Sequence, residues 1–162
     1  MPDFEPIGLI RTPFIHPEGT PIQPVFSEGA RGEVILKEEF APGLDDLDGF
    51  DRIWLIYWCH LTFGWKTHVV PFRDTREHGV FATRAPTRPN PIGLSCVDLI
   101  ARAGNTLHVS GVDMVDGSPL LDIKPYVARF DSHRDTAAGW FDTTDSDRTH
   151  ADDRFSQTTS KE

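Results

Sequence analysis

The sequence predicts an all-β protein, a closed or nearly closed β-barrel with short helical segments. Three observations carry that expectation. Roughly six to eight short runs rich in β-branched and aromatic residues are spaced along the chain. Pro- and Gly-rich turns separate them, and no stretch holds a long helical period. Strands do not alternate with helices, which disfavours a doubly wound sheet. Closure into a barrel then disposes of long exposed edges.

Residues 4–11 (FEPIGLIR) read as the first strand. Residues 12–27 carry four prolines, too many breaks for a regular element, and by composition the 20–24 loop is only a connection. Residues 32–37 (GEVILK) make a second strand. Residues 38–47 hold a weak helical segment starting near Pro42, since proline suits a first turn. The most apolar stretch, 51–61 (DRIWLIYWCHL), is short and rich in aromatics, which favours a central buried strand ended by His60. Residues 67–72 form another short strand, 73–78 a charged connection, and 80–82 a buried strand. Residues 92–102 and 106–112 are joined by Ala103-Gly104-Asn105, a hairpin signal. After the Asp116-Gly117-Ser118-Pro119 turn comes a last strand, 120–127, whose Pro125 implies an edge position or a bulge.

Residues 1–130 form the barrel domain and 131–162 a tail. The tail holds eight acids against four Lys or Arg, with Trp140, Phe141 and Phe155 as its few apolar anchors. Such a composition implies flexibility, with Trp140-Phe141 able to dock on the domain or on a second subunit.

The net charge of −9 argues against broad, non-specific nucleic-acid binding, so any RNA contact must be local. Cys59 and Cys96 lie in apolar runs and read as core thiols of a reducing compartment. No signal peptide is seen, and the longest apolar run, residues 53–59, is too short to span a bilayer. A cytoplasmic location follows. No histidine or cysteine pattern has metal-ligand spacing, so no metal is expected.

Residues 79–95 (GVFATRAPTRPNPIGLS) concentrate the chemistry. Pro86, Pro89 and Pro91 stiffen the backbone and push Ala85, Arg88 and Asn90 into extended conformations. Arg84 and Arg88 offer planar donor forks suited to carboxylate or phosphate, Asn90 an amide, and Gly93 permits a close approach. A pre-stiffened clamp loses less entropy on binding, although a proline-rich turn with solvated arginines has the same composition. His60 fits a satisfied structural residue, a ligand-binding group or a general base, and its position alone favours the first. Asp113, Asp116 and Asp122 lie among apolar residues. Asp116-Gly117 is a standard turn pair, whereas Asp113 and Asp122 fall in expected strands and need Arg84, Arg88 or Lys124 as partners.

The ordered blocks IGLIRTPF, LDGFDRIWLIYWCH, GVFATRAPTRPNPIGLS and VDGSPLLDIKPY resemble the TsaA-like (YaeB, TrmO-type) family over residues 4–127. The resemblance implies a small single-sheet β-barrel that forms a homodimer and methylates N6 of threonylcarbamoyladenosine beside the tRNA anticodon, using S-adenosylmethionine. By similarity, the cofactor positions fall on Pro21, Ile22, Gln23, Cys59, His60, Arg84, Leu94, Asp116, Gly117, Ser118 and Pro119. Arg88 and Asn90 are expected to grip the substrate, for instance its threonyl carboxylate. Tyr126 and His60 are the candidate bases if one is needed. Some relatives carry an extra C-terminal domain, and this chain has a short acidic tail in its place. That difference and the acidic charge keep two alternatives open: a small adenosine-like acceptor, and a non-catalytic regulatory module that binds the cofactor.

Overall fold

In the computed structural model, which describes residues 3–156, six strands close on themselves. They are β1 (Gly8–Arg11), β2 (Arg31–Leu36), β3 (Arg52–Trp58), β6 (Ile92–Ala103), β7 (Thr106–Ser110) and β8 (Ser118–Pro125). A separate two-stranded ribbon pairs β4 (His68–Val69) with β5 (His78–Gly79). The barrel order is β1-β2-β7-β6-β3-β8, and every neighbouring pair is antiparallel. All connections therefore divide between two ends. Those joining β1 to β2, β3 to β6 and β7 to β8 leave one mouth, and those joining β2 to β3 and β6 to β7 leave the other.

Alternation decides what fills the interior. In β3, Ile53, Leu55 and Tyr57 turn inward while Arg52 and Trp58 face out. They pack with Ile10, Val34, Val97, Leu107, Val109 and Leu120, all at most 1% exposed. Each such apolar side chain contributes about 1.5–3 kcal/mol when removed from water. Gly104, with φ +63°, makes the β6–β7 hairpin turn expected of that position.

Several local expectations are corrected. Residues 80–82 are not a strand but a 3-10 turn, which leaves Phe81 79% exposed. The 67–72 strand shrinks to His68–Val69, because Pro71 cannot extend a ladder. The 38–47 helix is two 3-10 turns, Glu38–Leu44 and Leu47–Gly49, with Pro42 inside the first rather than opening it. The first strand begins only at Gly8. β1 pairs only with Ser118, Pro119 and Leu120 of β8, so Pro125, at the strand's end, is paired with β3 alone and occupies a local edge, where its missing N–H costs no ladder bond. The bulge in β8 falls at Leu121, where Tyr57 pairs with Leu120 and Ile56 with Asp122.

Residues 140–156 of the tail touch the domain at a few points, and residues 157–162 lie outside the described residues. His150 forms a β-bridge with Pro21. Arg73 donates to the carbonyls of Ser146 and Arg148. Trp140 stacks on His78 at 4.4 Å and donates from Nε1 to the Ala82 carbonyl at 2.8 Å, so it docks on the domain. Phe155 packs on a second small core of Val69, Val80 and Ala85.

Candidate functional site at the barrel mouth

The three connections at the first mouth are tied to one another by named side chains. Asp116 Oδ1 accepts from the Thr12 N–H at 2.9 Å and its Oδ2 lies 3.3 Å from Arg11, joining the β7–β8 and β1–β2 connections. Gln23 Oε1 accepts from Arg84 at 2.5 Å, joining the β1–β2 and β3–β6 connections. Gly117 turns with φ +76° and donates to the Ile10 carbonyl, and the Ser118 hydroxyl donates to the Val115 carbonyl. The proline ladder is braced from within, because Arg88 Nη1 donates to the carbonyls of Thr83 and Ala85. Arg84 remains exposed.

Inside the same mouth lies a polar chain. The Ser95 hydroxyl, fully buried on β6, donates to Asp113 Oδ1 at 2.5 Å. Its hydrogen is then committed, so the Tyr57 hydroxyl, 3.1 Å away, donates to Ser95 Oγ. Burial pushes the Asp113 carboxyl up to about 7, against the opposing pull of the Ser95 hydrogen bond and the Arg84 charge. Burial and then the Asp113 charge push the neighbouring Cys59 thiol up to about 12, so it is no nucleophile near neutral pH. Burial lowers the His60 pKa, with the Trp58 carbonyl and Asp116 acting in the opposite sense, so its imidazole is neutral at neutral pH.

Most of the residues singled out in the sequence come together at this mouth: Pro21, Ile22, Gln23, Cys59, His60, Arg84, Arg88, Asn90, Asp116, Gly117 and Ser118. Pro21 and Ile22 are also where the tail crosses, since the Ile22 N–H donates to the Thr149 carbonyl. Pro119 follows on β8, paired with Leu9.

Two residues stand apart. Leu94 is on the outer face of the barrel, 56% exposed, because its neighbour Ser95 takes the inward position. Tyr126 is at the opposite end: its N–H donates to the Arg52 carbonyl and its ring lies 5.9 Å from Trp54. The length of β8, roughly 25 Å at the usual rise per residue, separates it from the Asp116–Ser118 turn. Within one chain Tyr126 is not a base for this site.

Other expectations are revised in detail. Asp113 lies beyond the end of β7, and its direct partner is a hydroxyl rather than a cation. Asp122 does pair with Lys124, at 2.9 Å. Gly93 admits no ligand: a Cβ there would meet the Tyr57 ring at 2.3 Å. Tyr57 and Ser95 were not identified as site residues from sequence. The signal for them is a polar group on the inward face of a strand, at the end where the polar loops gather.

The exposed Arg84 guanidinium suits the amino-acid carboxylate of S-adenosylmethionine, whereas the Asp116, Gly117 and Ser118 amides are spent on the carbonyls of Phe14, Ile10 and Val115 and shape the mouth rather than donate to a ligand. The family model for the tRNA-methyltransferase O N-terminal domain matches residues 9–132. A probable S-adenosyl-L-methionine-binding protein of Pyrococcus abyssi is 46% identical over 139 residues, 86% of this chain and 76% of that one. The tRNA (adenine(37)-N6)-methyltransferase of Escherichia coli is 37% identical over 147 residues, covering 85% of this chain and 63% of the enzyme. The crystal structure of TrmO from Pseudomonas aeruginosa superposes with a TM-score of 0.74 at 36% identity, over 86% of this chain and 62% of that one. The chain thus spans less than two thirds of the E. coli enzyme and of that TrmO structure. A match over most of the barrel, at these identities and with the same fold, places the chain in the tRNA-methyltransferase O N-terminal domain family.

Proposed function

We propose that the chain is an S-adenosylmethionine-dependent methyltransferase acting on N6 of threonylcarbamoyladenosine beside the tRNA anticodon. The observation that carries the RNA half of this reading is the basic charge gathered on one connection of the site mouth. The β3–β6 connection at the site mouth, residues 59–91, holds five Lys or Arg against two acids in a chain of net charge −9. The β2–β3 connection at the far end, residues 37–51, holds one lysine against six acids. The other two connections at the site mouth, residues 12–30 and 111–117, hold four acids and no Lys or Arg, so polyanionic RNA is drawn to the β3–β6 connection itself rather than to the mouth as a whole. Not all of that charge is free: Arg73 is spent on the tail and Arg76 lies 3.7 Å from Asp74.

The bound cofactor supplies an electrophilic methyl group on a sulfonium. Pro21, Ile22, Gln23, Cys59, His60 and Asp116–Ser118 hold it at the mouth, with exposed Arg84 meeting its carboxylate. Arg88 stiffens the proline ladder with one nitrogen and keeps its other donors for the threonyl carboxylate, beside exposed Asn90. Most of the acceleration comes from holding donor and acceptor in line. The neutral imidazole of His60 is the candidate acceptor for the N6 proton.

A homodimer belongs to the same reading. Trp58, Ile92 and Leu94 expose 45%, 44% and 56% of their surface on adjoining outer positions of β3 and β6. A second copy seated there covers that strip and sets Leu94 against the partner. The reaction has its substrate in the cytoplasm. Among the described residues no helix is long and apolar enough to cross a membrane.

The test is methyl transfer from labelled S-adenosylmethionine to tRNA with and without the threonylcarbamoyl group. Label entering only the modified tRNA is the expected result. Calorimetric cofactor binding without transfer to either tRNA would turn the assignment to a small adenosine-like acceptor or a regulatory module.

A further inference from the structure

The connection between β3 and β6 leaves large aromatic rings in solvent. Phe63 is 80% exposed, Trp65 56% and Phe81 79%, and none belongs to either core cluster. The β4–β5 ribbon ties the two parts of this connection together: the Val80 N–H donates to the Thr67 carbonyl at 2.9 Å, which joins the chain just after Trp65 and Lys66 to the chain just before Phe81. Gly64, with φ +66°, turns the backbone between Phe63 and Trp65, a conformation that a side chain would strain. Exposed Lys66 follows directly.

Solvent-facing aromatics with an interleaved cation, on the basic connection of an acidic chain, match what stacks unpaired bases. Rings offer a π-face to any base, and lysine follows the backbone. We propose that Phe63, Trp65 and Phe81, with Lys66, form a stacking platform for unpaired RNA bases flanking the acceptor nucleotide. The proposal rests on the tRNA reading above. A second copy of the chain is the weaker occupant, because a two-fold contact would set this basic connection against itself.

The experiment is titration of the full chain with an anticodon stem-loop carrying threonylcarbamoyladenosine, and with a blunt RNA duplex of equal length. Binding is read by anisotropy, and cofactor affinity by calorimetry. The stem-loop is expected to bind more tightly than the duplex. Phe63→Ala/Trp65→Ala is expected to weaken the stem-loop about tenfold or more, while Trp65→Phe, which keeps a ring, restores most of the affinity. Cofactor affinity and oligomeric state are expected to stay as in the wild type. Equal binding of stem-loop and duplex, an unaffected double variant, or a variant that falls to monomers overturns the platform. Tight, ring-dependent stem-loop binding without methyl transfer upholds the platform and refutes only the methyltransferase assignment.

Discussion

Ser95 and Asp113 meet across the barrel mouth, a 2.5 Å hydrogen bond between residues 18 positions apart. It fastens the β7–β8 connection to an inward position of β6 and holds a carboxyl where its ionised form is poorly solvated. The Asp113 pKa, ordinarily 3.8, stands at about 7 in the folded protein. Between these values the folded state binds more protons than the unfolded one. Stability from this group is therefore fully present below about pH 4 and is lost as pH rises through 7. Asp113→Asn keeps an acceptor for Ser95 and removes the titration. Its melting temperature relative to the wild type should climb between pH 4.5 and 7.5. A flat or falling difference would show that the carboxyl is not held in its neutral form.

Gly93 is required by Tyr57. With the ring 2.3 Å from where a Cβ would stand, Gly93→Ala must push Tyr57 off Ser95 or bend β6. Overpacking of this sort costs about 1–3 kcal/mol. Adding Tyr57→Leu to Gly93→Ala should recover part of the loss, and denaturant unfolding of the four-member cycle measures the coupling. Strict additivity would mean that the glycine serves something other than the ring.

The barrel was legible because alternation and turn chemistry are local. The 103–105 hairpin and the strands ending near 36, 58 and 103 lie close to where those patterns put them. What sequence could not show is which loops share an end. That follows from strand order, and it moves Tyr126 away from the site while bringing Tyr57 and Ser95 into it. The 80–82 strand failed because Val80, Phe81 and Ala82 look like a buried run, yet only Val80 is buried. The chain instead leaves the β4–β5 ladder at Val80 and closes a 3-10 turn, with the Thr83 N–H donating to the Val80 carbonyl.

Arg84 and Arg88 look alike in the sequence and should behave differently. Arg84 is exposed, so Arg84→Ala is expected to weaken S-adenosylmethionine by about tenfold with little change in melting temperature. Arg88 holds two carbonyls of the ladder, so Arg88→Ala should lose about 1.5–3 kcal/mol of stability besides any effect on substrate. Calorimetry and thermal melts on both variants separate the roles. The reverse pattern would exchange them.

The tail hangs on Arg73. Its Nη1 and Nη2 donate to the carbonyls of Arg148 and Ser146, the Thr144 hydroxyl donates to its carbonyl at 2.5 Å, and its guanidinium lies 5.4 Å from the Phe26 ring and 5.6 Å from that of Phe141. Only a planar fork can serve two carbonyls while stacking on rings. Arg73→Ala and Arg73→Lys should therefore release the segment to similar degrees, although lysine keeps the charge. Trp140 and Phe155 still tether its two halves, so release is local and global unfolding changes little. Amide exchange in residues 144–151 reports it, and because His150 pairs with Pro21, protection of residues 19–22 should fall in step. Wild-type protection in Arg73→Lys would mean that charge, not the fork, holds the tail across the mouth.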